Sequence, residues 1–332
     1  MNNANENNQE QPVTKNQHYV PKFYLKRFTN ADDKLEILDC ENRRIGKSRA
    51  PKSVCSEVYF YSVNDELDEV SQEIENEFQR FESSISEHYD EVADRFANFQ
   101  EIRTSDKLLV ATFMSMLYLR GPYMRKQINR MNADMIKQIT KMRYSSPSIY
   151  EEIDEIAKEE GLNLTEKDKQ EVVDFAVSGD YDVVTNNAPH LRFLGEMDGF
   201  RNLLFHKHWL VYVSKSSKKF ITSDNPVIEL FPDWTGKFFY GPSFLQRTHC
   251  FAMRPDIFII AMYPHDDVGN KIKRKTLFDN SKDNDKILEL NFNHPRNANA
   301  FAYASDVNSL QAIVDSANLY DKQSMRKLFG SQ

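Results

Sequence analysis

Between Val70 and Phe96 the residues Val70, Ile74, Phe78, Phe81, Ile85, Tyr89, Val92 and Phe96 recur at steps of three and four. That spacing keeps one side of an α-helix apolar for about seven turns. A helix this long cannot bury its stripe alone, so the rest of the chain has to supply a partner helix or a sheet. A second helix is predicted from an N-cap near Ser105, with Leu109, Phe113, Met116 and Leu117 on one face. Gly121-Pro122 breaks or kinks it, and helix resumes to about Arg143. Shorter helices are expected over 150–160, 166–177 and 189–206.

From Trp209 the pattern changes to short apolar segments separated by turn residues. Strands are expected at 209–213, 219–222, 227–231, 248–253 and 257–262, after earlier candidates at 35–40, 43–48 and 58–61. Helices return at 283–290, 296–304 and 310–319. The absence of a regular βαβ alternation points to an α+β fold, in which long antiparallel helices pack with a small, mainly antiparallel sheet from the late sequence. The expected organisation is a disordered polar tail over 1–16, then a single α+β domain over 17–330 with a helical insertion at about 131–187.

Composition narrows the function classes. The 332 residues carry 43 basic and 50 acidic side chains, a net charge of −7, so the chain as a whole lacks a nucleic-acid footprint. A small basic cleft is compatible with that balance. Basic residues cluster at Lys22/Lys26/Arg27, Arg43/Arg44/Lys47/Arg49, Arg120/Arg125/Lys126/Arg130 and Lys271/Lys273/Arg274/Lys275, each of which reads first as a solvated face. Ten glycines are too few for glycine-rich phosphate loops, and neither GxGxxG nor a Walker motif occurs. Cys40, Cys55 and Cys250 lie far apart, which disfavours a disulfide scaffold and suits a reducing cytoplasm. The longest apolar run, Leu108 to Leu119, is shorter than the roughly 20 residues of a membrane span. The opening MNNANENNQEQ lacks the apolar segment of a secretory signal. The expectation is a cytoplasmic protein with no membrane partner.

Three segments concentrate chemistry. In HYVPKFYLKRF, His18 is suited to proton transfer at neutral pH, while Val20, Phe23, Tyr24, Leu25 and Phe28 can bury one side. The alternative is a histidine bonded to backbone beside a docked N-terminal segment. In LYLRGP, helical stepping from Phe113 places Arg120 on the buried side, where it needs a carboxylate or an anionic ligand. Glu75 and Glu82, seven residues apart on the preceding helix, are candidate acids or ordinary surface glutamates. In ITSDNPV, Asp224 caps a turn between strands or serves as a functional acid, and Asn225 and Pro226 hold extended geometry. An acid kept for function there would tolerate Asn with a loss of stability of about 1 kcal/mol or less. A carboxylate site of Glu75, Glu82 and Asp224 for Mg²⁺ or Mn²⁺ is a further reading. His206 and His208 alternate as on a strand, with no third ligand nearby, and His249-Cys250 is a lone neighbour pair. Arg201-Asn202 followed by His206 fits the R-N-x-x-x-H pattern of HEPN RNases, whose all-helical bundle disagrees with the strands that follow.

Taken together, HYVPKFYLKRF, LYLRGP and ITSDNPV resemble the mainly bacterial domain of unknown function 4238, over about His18 to Ser305. The resemblance implies that His18, Pro21, Tyr24, Leu25, Phe28, Arg120, Pro122, Asp224, Asn225 and Pro226 hold motif positions. It implies no activity. The working expectation is a nuclease-like hydrolase acting on RNA or DNA, in phage defence or as a toxin. Its cleft would contain His18, Arg120, Asp224, Glu75 and Glu82 as catalytic groups and Tyr19, Lys22, Tyr24 and Asn225 as substrate contacts. The alternatives are a non-catalytic ligand- or protein-binding module and a HEPN-like RNase using Arg201 and His206.

Overall fold

A computed structural model describes residues 15–63, 69–230, 247–263 and 271–319. Most of the expected N-terminal tail, and residue 231 of the third late strand, lie outside the described residues. The chain divides into two compact units, one made of residues 1–124 and 193–332 and the other of residues 125–192.

The larger unit opens with β1 (Asn16–His18), a short helix α1 (Lys22–Leu25) and a 3₁₀ turn over Lys26–Phe28. Pro21 sits at the N-cap of α1, where its fixed φ of −60° leads the chain into the helix. There follow β2 (Glu36–Asp39), β3 (Arg44–Ile45) and β4 (Ser56–Val58), then the long helices α2 (Glu69–Ala97) and α3 (Thr104–Arg120). The helix break falls where it is expected: Gly121 is extended and α4 (Pro122–Tyr144) begins at the proline. Arg95 of α2 binds Asp106 of α3, and Arg120 at the far end of α3 reaches Glu82. Sequence numbers rise along one helix as they fall along the other, so the pair is antiparallel. The stripe on α2 buries Phe78, Ile85, Tyr89, Val92 and Phe96, whereas Phe81 at its margin is 37% exposed.

The late strands build two sheets. A five-stranded sheet has the order β10-β5-β9-β8-β7, with β5 (His208–Ser214), β7 (Val227–Leu230), β8 (Thr248–Arg254), β9 (Ile257–Met262) and β10 (Ile272–Leu277). Its pairings are antiparallel except β10 against β5. Central β9 is apolar throughout, as a strand covered on both faces must be. Edge strand β10 turns Lys273 and Lys275 to solvent, which discourages pairing with another chain. A four-stranded sheet joins the two ends of the sequence in the order β3-β2-β11-β6, with β6 (Thr222–Ser223) and β11 (Phe301–Ala304). The helix expected over 296–304 is therefore corrected: a short helix ends at Asn297 and Phe301–Ala304 form β11, because pairing to both β2 and β6 outweighs the helical preference of its alanines. The strand expected over 58–61 is likewise limited to Ser56–Val58, and that over 219–222 to Thr222–Ser223. This sheet packs through Leu38, Ile221, Ala302 and Ala304 onto Leu310 and Ile313 of a C-terminal helix, Val307–Leu319.

The aromatic core explains much of the first motif. Tyr24 packs against Phe28, Phe113 of α3 and Phe251 of β8, while Phe23 meets Tyr89 and Phe113. The Tyr24 hydroxyl donates to the Ala252 carbonyl at 2.7 Å and bonds Thr222 Oγ1 at 2.7 Å. One side chain thus ties the N-terminal segment to both late sheets.

The smaller unit is helical, with residues 125–144 of α4, then α5 (Ile149–Glu159), α6 (Glu166–Ser178) and α7 (Ala188–Phe193), while α8 (Met197–His206) returns to the larger unit. Ile149, Ile153 and Val173 form its core. A capping box of Thr165 and Asp168 starts α6, and Gly179 at φ 71° ends it in the left-handed conformation that glycine adopts without strain.

Candidate functional site

Residues 18 and 19 divide two concavities of the larger unit. On one side His18, Lys22, Glu75, Gln79, Glu82 and Ser83 line an open cleft of about 360 Å³ between the N-terminal segment and α2. Tyr19 lines a separate pocket. The backbone between them is held by Arg120, whose Nε donates to the Tyr19 carbonyl at 2.7 Å and Nη2 to the His18 carbonyl at 2.8 Å. Arg120 Nη1 lies 2.8 Å from Glu82 Oε1, and the guanidinium stacks over Phe78 with its carbon 4.8 Å from the ring centre. Arg120 is fully buried, as the helix phase predicts. Its Nε and Nη2 are committed to backbone, and Nη1 faces Glu82 as an ion pair without an aligned hydrogen bond, so the guanidinium positions His18.

His18 carries the reactive geometry. Its ring makes a backbone hydrogen bond with Lys52, and its buried Nε2 has no hydrogen-bond partner among the described residues. Burial, then the nearby Lys22 charge, lowers its pKa to about 4, so at neutral pH the imidazole is neutral and Nε2 offers a lone pair. Glu75 is buried, and desolvation pushes its carboxyl up, opposed by a hydrogen bond from Gln79 and by Arg120. A neutral base and a carboxyl biased toward its acid form thus share one cleft, with Lys22 exposed at its edge.

The other expected site residues fall elsewhere. Asp224 is not among the groups that line this cleft. Its buried carboxylate accepts the backbone N–H groups of Asn299 at 2.7 Å, Ala300 at 2.7 Å and Phe301 at 2.9 Å, pinning the start of β11. Of the expected triad and carboxylate trio, the cleft brings together His18, Glu75 and Glu82. Asn225, also buried, donates to the Asn297 carbonyl at 2.8 Å, and Tyr24 is wholly enclosed. Of the four expected substrate contacts, Lys22 reaches the cleft and Tyr19 lines the other pocket. Arg201 pairs with Asp198 at 2.8 Å. His206, five residues later on α8, is about 140° around the helix from it. Among the described residues no three His, Cys, Asp or Glu side chains form a group that could hold a metal ion.

A buried polar cluster escaped the sequence reading. Glu229 on β7 pairs with Arg247 at 2.8 Å and accepts the Tyr118 hydroxyl. His249 on β8 stands directly across the ladder from Glu229, and burial lowers its pKa to about 3. The signal in the sequence is a single Glu inside the apolar run Val227–Leu230, which asks for a partner on the neighbouring strand.

The comparisons bear on all of this. Residues 16–308 match the family described as "Protein of unknown function (DUF4238)". The chain belongs to that family. No curated protein and no solved structure matches it. In this DUF4238 chain Arg120 is a structural clamp on the backbone of His18, and Tyr24 and Asp224 fasten the N-terminal and late segments to the sheets.

Proposed function

We propose that the His18 cleft is an acid–base hydrolytic centre, acting on phosphodiester bonds of RNA or DNA. The observation that carries the reading is the unpartnered Nε2 of an imidazole kept neutral beside an open cleft. A buried acceptor without a protein partner costs folding free energy unless water or a bound group satisfies it, and a substrate water is a group that Nε2 can accept from. The mechanism requires the ring to turn so that Nε2 faces the cleft that His18 lines, releasing its bond to the Lys52 backbone. There it takes a proton from an attacking water as the water oxygen bonds to phosphorus. Glu75, whose burial favours the protonated carboxyl, returns a proton to the leaving oxygen as the P–O bond breaks, and Lys22 balances the phosphate charge. Arg120 holds the His18 backbone through these steps. Among the described residues no helix is long and apolar enough to cross a membrane, and the three cysteines are free thiols, which favours a reducing, cytoplasmic setting for this activity.

The test is incubation of the purified chain with end-labelled RNA and DNA, in EDTA and in Mg²⁺ or Mn²⁺. Cleavage by the wild type should fall about 100-fold or more in His18→Gln, as expected when a proton-transfer group is lost. Glu87→Gln, on the exposed side of α2, should cut at the wild-type rate. Cleavage undiminished in His18→Gln overturns the proposal.

A further inference from the structure

The second pocket uses residues that the hydrolytic centre leaves idle. It encloses about 540 Å³ beside the β2–β3 hairpin, the 53–56 segment and β11. That is within the range of small-molecule sites. Arg44, Lys47 and Arg49 stand exposed on its rim. Among the described residues none of these three side chains makes an ion pair or a hydrogen bond. Asp39 is the one acidic residue in the lining, and its carboxylate is occupied by the backbone and side-chain N–H groups of Asn42 at 2.9 Å each. Three cations against the single carboxylate of Asp39, which stands across the ladder from Arg44, leave a positive excess in one concavity of a chain whose net charge is −7. Like charges held together repel, and an anion bound among them relieves that repulsion. Arginine forks in particular match phosphate oxygens two at a time.

The walls speak for more than a bare anion. Ile37 and Val54 give a buried apolar floor, and Phe301 stands at the edge of β11 with 39% of its surface exposed. Cys55, on the same floor, is held at a φ of 54°, which a cysteine adopts only where its surroundings enforce it. That backbone presents its thiol to the Tyr303 hydroxyl at 3.4 Å. An apolar floor, an exposed aromatic face and a cationic rim together suit a flat ring carrying a phosphate.

We infer that this pocket binds a mononucleotide, its phosphate on Arg44, Lys47 and Arg49 and its base against Phe301. The site is distinct from the His18 cleft, so its occupancy does not depend on the hydrolytic reading.

Isothermal titration of the full chain with the four nucleoside 5′-monophosphates, with the nucleosides and with inorganic phosphate tests this. At least one nucleotide should bind saturably, about 10-fold or more tighter than either inorganic phosphate or its own nucleoside. Arg44→Gln with Arg49→Gln should weaken the nucleotide by about 10-fold or more, since each removes a charge-assisted contact. Both positions are exposed, so an unchanged circular dichroism spectrum is expected. Phe301→Ala should weaken the nucleotide and leave phosphate unaffected. No saturable nucleotide binding, or binding indifferent to the double arginine variant, overturns the proposal. So does equal affinity for phosphate and nucleotide, or binding confined to an RNA decamer.

Discussion

Arg120 and Asp224 show how much one polar side chain can organise when it is buried. Removing the Arg120 guanidinium leaves two backbone carbonyls without their donor and Glu82 without its partner. Arg120→Ala should therefore destabilise the fold by about 3 kcal/mol, the lower end for a broken buried pair because Glu82 keeps some contact with water. A urea midpoint equal to that of the wild type would contradict the clamp. For Asp224 the hydrogen bonds favour the structural of the two readings drawn from the sequence. An Asn there turns its amide donor toward backbone N–H groups that now share two carboxylate oxygens, so Asp224→Asn should cost about 2–4 kcal/mol. Equilibrium unfolding measures it, and a loss under about 1 kcal/mol would free Asp224 for a functional role. The burial of Arg120 was legible in helix phase, yet its partners were not. Two of them are carbonyls about 100 residues away, and periodicity carries no information about such long-range pairs.

At the level of elements, the long helices were legible because each repeats its apolar face many times. Leu109 on α3 shows the limit of such phasing, since its neighbours Val110, Phe113 and Met114 are fully enclosed. The short strands were less legible. The run Ala298 to Ala304 reads as helix by composition, and only the ladder to β2 and β6 makes it β11. In β10 the charges of Lys273, Arg274 and Lys275 mask a strand that lies parallel to β5. The joint between the first motif and these sheets is the Tyr24 hydroxyl. Tyr24→Phe keeps the ring stacking but strips the Ala252 carbonyl and Thr222 of a buried partner, so it should cost about 1–2 kcal/mol by chemical denaturation. No change would mean that the two sheets are held to α1 by packing alone.

For the molecule as a whole, buried histidines among the described residues weigh on the response to acid. Burial holds His18 at about 4 and His249 and His294 at about 3, all below the 6.5 of an unfolded chain. Each is neutral in the folded state and is protonated more readily on unfolding, so stability is full above pH 6.5 and falls as the pH drops toward 3. The two fully enclosed rings, His249 and His294, contribute roughly 3 kcal/mol of loss per pH unit between 6 and 4, and His18 adds in the same direction. Glu75, pushed up by burial, acts oppositely and offsets part of this. Urea midpoints taken from pH 7 to pH 4 should fall steadily, and a flat profile would mean that these rings are solvated. The central claim, a neutral His18 with a free Nε2, is tested most directly by NMR titration of histidine-labelled protein. His18→Gln identifies the resonance among the eight histidines. The account predicts an imidazole in the Nδ1–H form that titrates at about 4; a midpoint near 6.5 would show His18 to be an ordinary solvated histidine and would remove the hydrolytic centre.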